Sequence, residues 1–150
     1  MIPRRLALLG VLLLLVAWPS LAEPPKSAGL EYLQGFVGKH PADLKLWDTE
    51  PLHVRLRTLL GPRYPSFVTN MRVNGPLARY GDVVWTSGNK PHDGTRNAAL
   101  FLADTKSDVI EVYLLSQGAL SEHAEKGPPV RLEGGAKTVF TNLKNSARRE

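Results

Sequence analysis

The sequence predicts an α+β domain: a central antiparallel sheet of about five strands in a meander, with short helices packed on one face. Three observations carry that prediction. Helical spacing of apolar residues is concentrated early, in Leu30, Leu33, Phe36 and Val37 and again in Leu52, Leu56, Leu59 and Leu60. After Asn74-Gly75-Pro76 the pattern changes to strand-like runs separated by short polar turns. Two of those runs, residues 98–103 and 109–115, are nearly continuous in apolar residues, as central strands are.

Ahead of the domain, residues 1–22 have the three parts of a secretory signal. These are Arg4-Arg5, an apolar run over residues 6–18, and the small-residue end Ser20-Leu21-Ala22. The run is shorter than the ~20 residues a spanning helix needs, so cleavage after Ala22 and no stable membrane anchor are expected. No cysteine follows the small residues, which argues against a lipoprotein. Export would place the product in the periplasm. Residues 23–29 hold Pro24-Pro25 and read as a mobile leader, and residues 30–150 as a single domain. The chain has no cysteine, so an exported domain of this length must rely on its core rather than on disulfides. The 19 Lys and Arg fall to 17 once Arg4 and Arg5 are removed, against 14 Asp and Glu, a net +3. With the basic residues scattered along an exported chain, nucleic acid is not an expected partner.

Within the domain, residues 30–39 form a short amphipathic helix ended by His40-Pro41. Asp48-Thr49-Glu50-Pro51 starts a second helix, with Asp48 or Thr49 as its cap and Pro51 in its first turn. Arg55 and Arg57 point away from its apolar face and read as solvated. Gly61-Pro62 stops it, and residues 64–71 add one more turn carrying Phe67. Residues 77–80 and 83–87 then flank Gly81-Asp82, a two-residue connection with Gly first, as a type II′ hairpin prefers. Residues 98–103 and 109–115 make the next pair of strands. Residues 116–129 read as a polar excursion and 130–133 as a fifth, edge strand. Gly134-Gly135 is a break before a last short helix marked by Val139, Phe140 and Leu143.

The longest and most polar tip of this meander is Gly88-Asn89-Lys90-Pro91-His92-Asp93-Gly94. Pro91 fixes its own φ and pushes Lys90 into an extended conformation. Lys90-Pro91-His92-Asp93 suits a type I turn with proline second, Asp93 can bond nearby backbone, and Gly94 can turn the chain back. His92 would stand at the apex of a partly stiffened finger. Lys-Pro-His-Asp in a loop after a Trp-containing strand, here Trp85, resembles the signature of the inhibitor of vertebrate lysozyme family. The resemblance in residue pattern covers roughly residues 81–115. In that family two cysteines clamp the loop, whereas Asn89 and Gly94 stand at those positions here.

The resemblance implies a sheet flanked by helices and a loop that enters the lysozyme cleft. There the His and Asp engage the catalytic carboxylates and their neighbours. The implied partner is a c-type lysozyme, or a periplasmic lytic transglycosylase, whose glycan cleft also carries a catalytic acid. The chemistry is coherent: imidazole donates to carboxylates, Lys90 adds positive charge, and Pro91 lowers the ordering cost of insertion. Taken alone, His92 and Asp93 can also be ordinary turn residues. Two other readings stay open: a binding paralogue of the same fold with another target, and a small enzyme using His92 and Asp93 as an acid/base pair. An enzyme is not expected, because catalytic groups sit in clefts and this tip protrudes. The four histidines, at positions 40, 53, 92 and 123, have no metal-ligand spacing, so neither metal nor cofactor is expected. The resemblance allows a homodimer, though no patch in the sequence identifies an interface.

Overall fold

The computed structural model describes residues 29–149. The expected signal segment and nearly all of the leader lie outside these residues. Among the described residues, three α-helices and six strands follow in order: α1 (Leu52–Leu60), α2 (Tyr64–Asn70), β1 (Val73–Asn74), β2 (Ala78–Tyr80), β3 (Val83–Asn89), β4 (Ala98–Asp104), β5 (Val109–Ser116), β6 (Ala119–Ala124) and α3 (Gly134–Ala147). All strands join one antiparallel sheet. Strands β3 to β6 form a meander, and β1 and β2 both pair with the outer side of β3. The α+β class and its open antiparallel sheet are those the sequence predicts.

Alternation along the central strands divides the core in two. Ala99, Phe101, Ala103, Ile110, Val112 and Leu114 face one side, where they meet Leu52, Leu56 and Leu60 of α1 and Phe67 of α2. Ala98, Leu100, Leu102, Tyr113 and Leu115 face the other, against Ala136 and Leu143 of α3. The helices therefore cover both faces rather than one, with α3 alone on the second. Both faces of β4 and β5 are buried, which is the physical reason for their unbroken apolar runs. On the first face, the Trp47 ring packs edge-on against Phe67 and Phe101, with centroids 5.1 and 5.2 Å away.

The first helical segment is a 3-10 helix, Glu31–Phe36, not an α-helix through residue 39. The chain beyond it is drawn onto Leu77: the Gly38 N–H donates to Leu77 O (2.7 Å) and the Leu77 N–H to Lys39 O (2.9 Å). At α1 the expected caps are replaced by Glu50, whose Oε2 accepts from the Val54 N–H at 3.2 Å. Gly81 has φ +51 in the β2–β3 turn, as the glycine-first hairpin requires.

Two segments differ from the sequence reading. The polar excursion contains β6, paired with β5 from Ser116↔Ala119 to Glu111↔Ala124. Its turn is Gln117-Gly118, both with positive φ (50 and 82), the type I′ pattern of a tight hairpin. The strand lies at the sheet edge and is largely exposed, so it lacks the apolar signal of its neighbours. Conversely, residues 130–133 form no strand. Side chains hold them instead: the Val130 N–H donates to Glu111 Oε2 (3.1 Å), and the Tyr80 hydroxyl donates to Arg131 O. Gly134-Gly135 opens α3 rather than preceding it. A Cβ on Gly135 would lie 2.9 Å from the Trp85 ring, so the helix start packs on β3 only without a side chain there.

Candidate functional site

Strands β3 and β4 project the loop of residues 90–97 from one end of the sheet. Their ladder closes at Asn89↔Ala98, and the Lys90 N–H reaches Asn97 O at 3.0 Å across the loop's mouth. Close packing sets the base: a Cβ on Gly88 would come within 2.9 Å of Asn70 O, Met71 Sδ and Val73 O. Glycine there lets the end of α2 lie directly on β3.

At the tip, the Asp93 N–H donates to Lys90 O (3.2 Å), closing the four-residue turn with Pro91 second. His92 has φ +61. A positive φ at the third position belongs to a type II turn, not to the type I turn the sequence suggests. Histidine in this left-handed region costs about 1 kcal/mol, a position glycine would occupy without strain. The strain accompanies exposure: His92 and Lys90 are open to solvent, while Pro91 and Asp93 are half-buried.

Asp93 does not project beside His92. Its carboxylate turns back to accept from Asn97 Nδ2 at 2.6 Å, with Lys90 Nζ at 3.8 Å, and its carbonyl accepts from the Asn97 N–H at 2.9 Å. His92 thus stands at the apex with Lys90 on the flank, and Asp93 braces the turn from within. Asn97 carries that brace onward, its Oδ1 accepting from the Gln117 N–H (3.0 Å) while the Gly118 N–H donates to Arg96 O (2.9 Å). Below them the buried Asn70 Nδ2 donates to both Ala98 O (3.1 Å) and Leu115 O (2.8 Å). These hydrogen bonds tie the loop to the β5–β6 turn and to α2. Asn89 and Gly94 adjoin each other at the mouth, where the family's cysteines would stand.

Sequence reasoning missed Asn97, Asn70 and Gln117: Asn97 braces the nearby Asp93 but also reaches Gln117, 20 residues away, and Asn70 acts through Ala98 and Leu115, 28 and 45 residues away. A polar residue ending each apolar run was the available signal. An open groove of about 600 Å³ runs between the loop and α3, lined by Ser87, Asn89, Thr95, Asn142 and Ser146 among others.

Away from the loop, Arg55 is not solvated. Its guanidinium grips Glu125 with two hydrogen bonds (2.9 and 2.5 Å) and Asp108 Oδ1 at 2.7 Å. These bonds raise its pKa. On β6, Ser121 Oγ lies 3.0 Å from His123 Nε2 and accepts from Arg63 at 3.2 Å. Burial, aided by the Arg63 charge, lowers the His123 pKa. Ser121 also donates to Leu114 O (3.3 Å), which engages its hydroxyl in the sheet. Among the described residues, no group of three or more His, Cys, Asp or Glu is arranged to hold a metal ion.

Comparison with curated proteins and with solved structures finds no match. The family model described as inhibitor of vertebrate lysozyme (Ivy) does match, over residues 51–148, a span that takes in α1 to α3, the whole sheet and the loop. The chain, with its His92 loop carried on that sheet, therefore belongs to the Ivy family, the inhibitors of vertebrate lysozyme.

Proposed function

We propose that this protein is an exported, non-enzymatic inhibitor of lysozyme-type murein hydrolases, and that it acts by inserting Lys90-Pro91-His92-Asp93 into the enzyme's cleft. Family membership supports a lysozyme-inhibitor role in general. The observation that carries the insertion mode is the exposed His92 at the apex of a convex, internally braced loop. A convex tip fills another protein's cleft, and bracing reduces the conformational entropy lost on binding. His92 would donate to the catalytic carboxylates, and Lys90 would add positive charge against them. The target is a c-type lysozyme or a periplasmic lytic transglycosylase, reached after the signal over residues 1–22 is removed.

Lysis of a murein suspension by lysozyme, with and without the protein, tests this reading. Wild type should slow lysis and His92→Ala should not. Equal inhibition by both proteins would refute loop insertion, and murein turnover by the protein alone would show an enzyme. The intact mass of protein from a periplasmic extract tests export, with a mature N-terminus at Glu23 expected. Full-length chain held in the membrane would refute it.

A further inference from the structure

The two ends of the sheet differ in charge. Arg72 lies between α2 and β1, Lys90 and Arg96 lie in the loop, and Arg148 and Arg149 follow α3; all are exposed. Scattered in sequence, they gather at the loop end. Val73 pairs with Asn89, which sets Arg72 beside the loop. Helix α3 runs from Gly135, against Trp85, to Ser146 in the groove below the loop, so Arg148 and Arg149 emerge there. Among the described residues of these segments the carboxylate is Asp93, engaged by Asn97 and Lys90, and Glu150 follows Arg149 in the sequence. At the opposite end the charges are mixed: Asp82, Asp104 and Glu133 stand with Arg131 near the β2–β3 turn, and Asp108 and Glu125 with Arg55 and Lys126.

We propose that the loop end is a basic docking pole, and that its partner is a glycan hydrolase whose cleft is bordered by acidic residues. The inference rests on the loop-insertion reading and names the partner's chemistry. A cleft that admits the loop must bring its walls down on either side of it. The groove between loop and α3 receives one wall, and its lining carries no formal charge, so contact there strands no buried ion. The cations stand outside it, at a rim position where charge governs the rate of encounter and the choice of partner. The uncharged groove separates Arg72 and Lys90 from Arg148 and Arg149, so a lipid surface or polynucleotide would meet no continuous basic face.

The test measures association rates of the exported protein with two murein hydrolases of opposite net charge, a basic c-type lysozyme and an acidic lytic transglycosylase. Stopped flow at low and high salt compares wild type with Arg72→Glu/Arg148→Glu/Arg149→Glu. Wild type should associate faster with the acidic enzyme at low salt and lose about ten-fold or more in rate as salt screens the field. The charge-reversed protein should lose that advantage. The triple glutamine variant answers the same question if the glutamates disturb the end of α3. Salt-independent rates, unchanged rates in the variants, or faster low-salt association with the basic lysozyme would each overturn the proposal. So would tighter retention on anionic phospholipid vesicles than on the acidic enzyme. His92→Ala separates the two readings: unchanged dissociation alongside charge-dependent association removes loop insertion and leaves the pole. Charge-independent association with a His92-dependent complex does the reverse, and no association with either enzyme removes both.

Discussion

A Cβ placed on Gly94 would lie 3.1 Å from the Cβ of Asn89. A disulfide places its two Cβ atoms ~3.5–4.5 Å apart, so the pair needs to separate by only a few tenths of an ångström. Asn89→Cys with Gly94→Cys should therefore close an intramolecular bond under mild oxidation. The closed loop should add up to ~2–3 kcal/mol of stability in the chain-entropy model, less any native strain. Mass spectrometry with thiol alkylation and melts with and without reductant measure both effects. Free thiols that persist in oxidant, or bonds formed only between molecules, would contradict the loop geometry. Wild type itself should melt identically in both conditions, since it has no thiol.

Arg55 should be the most sensitive charged position away from the loop. Its side chain is 14% exposed and joins α1 to Asp108 before β5 and Glu125 after β6. Removing one partner of such a part-buried network leaves carboxylates facing each other, a loss on the order of 3 kcal/mol. Arg55→Ala should lower the urea midpoint accordingly. Arg55→Lys should rescue little, because a single ammonium cannot reproduce the paired hydrogen bonds to Glu125. Full stability of the lysine variant would show that charge alone, and not the fork, holds α1 in place.

Arg55 also marks where the sequence stops being legible. Its apolar neighbours on α1 announce themselves by spacing, but its carboxylate partners lie 53 and 70 residues away, where no local pattern points. Glu111 is similar: a carboxylate in an apolar strand, buried to 3% exposure and satisfied by the Tyr113 hydroxyl and the Val130 N–H. The central strands were readable because both faces are buried. The edge strand β6 was not, because its exposed residues resemble a loop. At the site, proline and glycine chemistry located the turn and its apex. The turn type depends on the positive φ of His92, within a loop closed by Asp93, Asn97 and Gln117. That closure depends on a contact 20 residues away in sequence.

His123 should give stability a specific pH dependence. Its pKa is lowered in the folded state, first by burial and then by the Arg63 charge. The unfolded chain then binds more protons between the lowered value and the ordinary His value of about 6.5. Its neutral form thus contributes stability that is present above about 6.5 and is lost as pH falls through the folded value. His123→Gln keeps a polar group near Ser121 but cannot take up that proton. Melts from pH 8 down to 5 should show wild type losing more than the variant. Parallel curves would mean that protonation of His123 is not coupled to folding.

Substitutions at His92 should separate stability from inhibition. At φ +61, glycine removes about 1 kcal/mol of left-handed strain but adds ~0.5–1 kcal/mol of unfolded-chain entropy. The two terms nearly cancel, so His92→Gly should melt within a few degrees of wild type. Asparagine, which tolerates this region, should behave alike, while β-branched His92→Val should loosen the loop. Inhibition should follow a different order. Losing a charge-assisted hydrogen bond in a desolvated cleft costs ~2–5 kcal/mol, a ~30-fold to several-thousand-fold loss of affinity. His92→Gly and His92→Asn should both fall by that range although their folding is intact. Binding calorimetry against the hydrolase, paired with thermal melts of each free protein, makes the comparison. If His92→Gly bound as tightly as wild type, the histidine would be a turn residue only, and the affinity would have to come from Lys90 and the rim around the loop.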